Sequence, residues 1–152
     1  MDYLKVFILS AAPFFEIRGG LPLGIYLGLS RWEAFTVSVL GNIVIVIPLL
    51  MLLPRLESII LRNRAINKLY SRMVKKVQGK RTSFQKYGKY ALFLFVALPF
   101  PTTGAWTACV AAYLFRISLR ETFLIVSSGV VISGIIILVG KIFTVSVFSL
   151  LL

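Results

Sequence analysis

The residues in this chain with the means to do chemistry are few and lie close together. Pro13-Phe14-Phe15-Glu16-Ile17-Arg18-Gly19-Gly20-Leu21-Pro22-Leu23-Gly24 sets a carboxylate, a guanidinium, two prolines and three glycines between two apolar arms, 6–12 and 25–29. Arg18 is suited to hold an anion, with help from the amides of Gly19 and Gly20, because helix N-termini favour negative charge. Glu16 is suited to exchange a proton, since burial favours a neutral carboxyl while a nearby guanidinium favours the charged one. A carboxyl poised between the two can couple proton movement to a substrate. The structural alternative is a Glu16–Arg18 ion pair, within one turn or across to another part of the chain, that only pins the turn.

A second stretch of the same kind follows. Pro99-Phe100-Pro101-Thr102-Thr103-Gly104 interrupts another apolar run. After Pro101, the Thr102 and Thr103 hydroxyls and the Gly104 amide offer uncharged donors, for a ligand or as helix caps. Trp106 stacks in such a pocket or simply packs, and Asn42 is placed to bond an unwound carbonyl. Transition-metal chemistry has little to work with: there is no His, the five acids are scattered, and Cys109 is alone. The same shortage excludes a disulfide framework and His-based nucleophile pairs. The expectation is a protein without cofactor or metal, and not an enzyme.

What positions these residues is a membrane protein. Of 152 residues, 59% are apolar, and 34–53, 91–115 and 122–140 carry no charge at all. Runs of this length are bilayer candidates. Net charge is +12, and eleven of the seventeen Lys and Arg residues fall between Arg55 and Lys89, beside Glu57 as the one acid. Such a loop reads as cytoplasmic. Within it Ile59, Ile66, Leu69, Met73 and Val77 recur at helical spacing among basic residues, so 55–78 is expected to be a basic amphipathic helix on anionic lipid. Its interleaved tyrosines raise nucleic acid as a partner, but a polybasic loop of a membrane protein is ordinarily topological. The N-terminus is a poor match to a cleavable signal peptide.

Neither arm about Glu16 can span alone: eight to ten residues rise about 12–15 Å, half of a ~30 Å core. A re-entrant hairpin fits better, and broken backbone at that depth must be buried in protein or line a wet cavity. The second half repeats the first at an offset of 88: Phe7, Pro13, Ser30, Glu33, Phe35 and Gly41 match Phe95, Pro101, Ser118, Glu121, Phe123 and Gly129. Ser30–Glu33 and Ser118–Glu121 read as capping boxes. The small residues Ser127, Ser128, Gly129, Ser133 and Gly134 suit close helix contacts, within the chain or in a homodimer. The fold expected is therefore an all-α integral membrane protein: an inverted repeat of two re-entrant helical hairpins, each followed by a transmembrane helix. A single membrane domain would comprise a first repeat (1–54), a basic cytoplasmic linker (55–88) and a second repeat (89–152). The N-terminus would lie outside the inner membrane, and Arg116 and Arg120 inside.

The Glu-x-Arg-Gly-Gly-x-Pro block at 16–22, together with Pro99 and the run from Thr102 to Thr107, resembles the small multidrug export protein family over nearly the whole chain. Through that family it is similar, distantly, to the DedA membrane proteins. The first resemblance implies drug export. The second implies opposed re-entrant hairpins and proton-coupled movement of a lipid-linked phosphate. Where DedA proteins carry arginines about the second break, this chain has no cation, so Glu16 and Arg18 alone carry over. The leading expectation is a transporter or flippase for an amphipathic anion, with membrane lipids and protons as partners. The rivals are an exporter of cationic drugs with Glu16 as counter-ion, and a scaffold that binds anionic lipid through its basic helix.

Overall fold

The computed structural model describes residues 1–60, 81–99 and 104–151, with side chains over 1–55, 87–99 and 104–140. These residues form six helices and no strand: α1 (Asp2–Ala11), α2 (Glu16–Tyr26), α3 (Arg31–Ile60), α4 (Arg81–Ala97), α5 (Ala105–Leu114) and α6 (Leu119–Leu151). Within α3 and α6, Arg31–Arg55 and Leu119–Gly140 are long and apolar enough to cross a membrane. Outward-facing side chains make the same case. Leu40, Val44, Ile47 and Met51 form an exposed stripe on α3, and Leu124, Ile132, Ile135 and Val139 an exposed face on α6. A helix apolar on its outer face as well as its inner one belongs in lipid, and the chain is a membrane protein.

Local sequence accounts for most helix ends. Pro13 disfavours helical backbone at the residue before it, and Ala12 is indeed extended, at φ −71° and ψ 141°. Ser30 and Glu33 close the predicted box: the Ser30 amide donates to Glu33 Oε2 (2.8 Å) and the Glu33 amide to Ser30 Oγ (3.3 Å). At the start of α6 the Ser118 hydroxyl donates to Glu121 Oε2 (3.0 Å) and the Glu121 amide to Ser118 Oγ (3.4 Å). Each box glutamate also takes a donor from the first arm of its half. Glu33 accepts from the Tyr3 hydroxyl, and Glu121 pairs with Lys89.

The C-terminal ends of α2 and α5 share a device that no residue identity announces. The Leu29 amide reaches the Gly24 carbonyl and the Gly28 amide the Ile25 carbonyl; 88 residues on, Ile117 reaches Ala112 and Arg116 reaches Tyr113. Both pairs are Schellman closures, which need a left-handed residue just past the helix. Gly28 supplies it at φ 88°, and Arg116 at φ 54°.

Close approaches fix the register of the first half. Gly20 lies against Ser10 and the Val6 carbonyl, Gly24 against Ala34, and Gly41 against Ser10 and the Phe7 carbonyl. Helix α2 therefore runs back along α1, and α3 rises beside α1 while α2 descends it. In the second half Gly129 of α6 takes the place of Gly41, packed on Val96 and the Phe93 carbonyl of α4. Gly129 and Gly134 thus make their close contacts within the chain, Gly134 against Ile17 and Phe35. A core of Ile17, Leu21, Val39, Val46, Val96, Val126 and Val130 joins the halves.

Three boundaries differ from the expectation. Gly19, Gly20 and Pro22 lie inside α2 rather than in the break, which is confined to 12–15. Gly20 has no side chain because Ser10 and α1 occupy that space, so it serves packing and not a turn. Pro22 cannot donate to the Arg18 carbonyl, a gap that neighbouring groups can make good in a membrane protein. At the two ends of the stretch expected as linker, α3 continues to Ile60 and α4 begins at Arg81. Most of the expected amphipathic helix, from 61 to 78, lies outside the described residues.

Left-handed backbone costs a non-glycine residue about 1–2 kcal/mol. Arg116→Gly should therefore raise stability by about 1 kcal/mol in thermal unfolding of the detergent-solubilised protein, and Gly28→Ala should lower it by a similar amount. Equal melting of Arg116→Gly and the parent would contradict the cap.

Candidate functional site

Every helix break in a membrane leaves carbonyls and amides that must find partners inside the protein. Among the described residues, several groups at each break are met by residues of the other. The Glu16 carboxylate lies at the N-terminus of α5, where its Oε1 accepts the Trp106 amide at 3.2 Å. The Trp106 indole Nε1 donates to the carbonyl of Ala11, the last residue of α1, also at 3.2 Å. Arg18 Nη2 donates to the Leu98 carbonyl, just past the end of α4, at 3.2 Å. A negative group thus meets a helix N-terminus and a positive group a helix C-terminus, the signs the helix dipole favours. Bonds of this charge-assisted kind contribute about 1.5–3 kcal/mol each.

Glu16 is buried, at 7% exposure, while Arg18 is only partly so. The two side chains engage the ends of different helices. Backbone around them is strained: Phe14 has φ 75° and Glu16 itself φ 48°. Non-glycine residues held this way cluster at functional sites. Gly104 is what lets the carboxylate approach. A Cβ at that position would fall on the Glu16 carboxyl group. Thr107 completes the α5 cap, its hydroxyl accepting from the Gly104 amide at 3.2 Å.

The predicted site residues are thus partly gathered at one junction. Glu16, Arg18, Gly104 and Trp106 meet there. Gly19 donates its amide to the Phe15 carbonyl within the first turn of α2, and Gly20 and Pro22 lie further along that helix. Asn42 is fully buried on α3. Pro101, Thr102 and Thr103 lie outside the described residues. The Ala11 and Leu98 carbonyls were not foreseeable as partners, because backbone acceptors leave no mark in residue types; only the breaks beside them do. Among the described residues no group of three His, Cys, Asp or Glu could hold a metal ion.

A family model described as "Putative small multi-drug export protein" matches residues 16–136. No curated protein matches the chain, and no solved structure does.

Because the Gly104 gap and the Glu16 carboxylate fit one another, their substitutions should couple. Gly104→Ala alone should be strongly destabilising in detergent unfolding. In a Glu16→Ala background its cost should shrink, giving a coupling energy of about 1 kcal/mol or more. Strict additivity would contradict the contact.

Proposed function

The chain belongs to the small multi-drug export protein family, and on that footing we propose that it is a membrane transporter moving an amphipathic anion past the junction of its two helix breaks. Arg18 holds the anionic head and Glu16 exchanges a proton. The carrying observation is a partly buried guanidinium where both breaks meet, beside strained backbone and the exposed rings of Phe14 and Phe15. An exposed aromatic pair next to a cation suits a molecule with a charged head and an apolar body, a lipid-linked phosphate among them.

In the membrane, α1 with α2 and α4 with α5 act as re-entrant hairpins opening on opposite faces. Supporting this are the lengths of α1, α2 and α5, at 10 or 11 residues about half a bilayer each. The long helices supply a second support. Gly134 lies beyond the level of the second break in α6, yet it meets Phe35, which precedes the level of the first break in α3. That contact fits two long helices of opposite sense. With the basic loop inside, the N-terminus lies outside and the protein crosses the inner membrane more than once.

Drug export is what the family's description favours, and the second reading takes the drug to be an amphipathic cation. It would use Glu16 as counter-ion. The geometry speaks for the anion instead, since the Glu16 carboxylate is buried and already caps α5.

Arg18→Gln should weaken binding of a phosphate-headed lipid, relative to a neutral lipid with the same chains, by about tenfold or more in native mass spectrometry. Arg18→Lys should retain most of it. Undiminished preference in Arg18→Gln would remove Arg18 from this role, and competition by lipophilic cations at Glu16 would favour the second reading.

A further inference from the structure

Beside the junction lies a second cluster of polar groups, all neutral. Ser10 on α1 and Ser38 and Asn42 on α3 are fully buried. Ser10 Oγ, Ser38 Oγ and both amide atoms of Asn42 have no hydrogen-bond partner among the described residues. Burying such groups without partners is costly, so four unpartnered atoms in one place call for an occupant.

The register brings them together. Gly24 lies against Ala34, and two antiparallel helices in that register carry Ser38 to the level of Gly20 and Asn42 to the level of Glu16. Gly20 is also where Ser10 sits, with the Val6 carbonyl beside it, and Gly41 sits against the Phe7 carbonyl. Helical carbonyls keep a second lone pair after their internal bond. The cluster therefore presents hydroxyl, amide and carbonyl oxygens beside the Asn42 amide nitrogen, with the turn of α2 that carries Glu16 at the level of Asn42.

We infer that this cluster binds a small monovalent cation, with sodium the best match. The oxygens on offer are nearly all neutral, which suits a hard ion of single charge, and of the four unpartnered atoms Asn42 Nδ2 is the one that would not ligate it. A divalent ion would need more carboxylates than Glu16. A cation here lowers the electrostatic cost of a charged Glu16 nearby, so it favours the carboxylate over its protonated form. The use of sodium as a coupling ion rests on the transporter reading; its binding does not.

Full-length protein in detergent is to be melted in sodium, lithium, potassium and choline chloride at one ionic strength. A saturable rise in melting temperature is expected in sodium, smaller in lithium and absent in potassium and choline. In a Trp32→Phe background, Trp106 fluorescence should follow the same titration, since its amide is held by Glu16. Asn42→Leu should abolish both responses, and should that variant fail to fold, Ser38→Ala and Ser10→Ala should each shift the midpoint to about tenfold higher sodium or more. Identical melting in all four salts, or a sodium response that survives these substitutions, overturns the site. Loss of the sodium response with Arg18-dependent lipid binding intact refutes the ion site alone. A sodium response without that lipid binding refutes the transport reading of Arg18 and leaves the ion site standing.

Discussion

The constraint on which this structure depends is that backbone exposed at a helix break cannot be left unbonded in a membrane. Breaking a helix frees carbonyls at one end and amides at the next, and lipid offers no partner for either. Two helix breaks in one small protein can solve this by capping each other, and on the re-entrant reading proposed above both breaks lie within the membrane. Glu16 meets the amide end of α5, Trp106 meets the carbonyl end of α1, and Arg18 meets the Leu98 carbonyl past α4. Charge is thereby placed in the apolar interior with its sign matched to the helix ends around it, which lowers the penalty that buried charge otherwise carries.

The same arrangement explains why structural and functional readings of Glu16 and Arg18 need not compete. A carboxylate caps α5 more strongly than a neutral carboxyl does, because its charge adds to the hydrogen bond. Protonation, or an ion beside it, changes the strength of that cap. An anion at Arg18 likewise competes with the Leu98 carbonyl. On the transport reading proposed above, both events would bias how the two hairpins sit against one another, as a response to cargo requires.

Much of this was legible in the sequence where the code is local. Pro13 and Pro99 mark the breaks, Ser30–Glu33 and Ser118–Glu121 mark helix starts, and the 88-residue offset marks corresponding positions in the two halves. Glu16 and Arg18 were conspicuous because charge is rare in apolar surroundings. Long-range partners were not legible. Nothing in residue types says that Trp106 will find the Ala11 carbonyl 95 residues away. Gly19 and Gly20 read as a turn, whereas α2 passes through both and Gly20 is required by the nearness of Ser10. Arg116 carries no glycine signal, yet occupies the same left-handed position as Gly28. Ser38 and Asn42 are spaced one helical turn apart, a signal available in sequence whose meaning appears only once both are seen to be buried.

The central claim is that two hairpins enter the membrane from opposite faces and meet at their breaks. It is tested most directly by placing single cysteines at residues 2 and 116 in a Cys109→Ala background and exposing intact cells to an impermeant maleimide. The account predicts labelling at 2 and protection at 116 until the cells are opened. Protection at 2 with labelling at 116 would mean that each hairpin is a full span, and would contradict it.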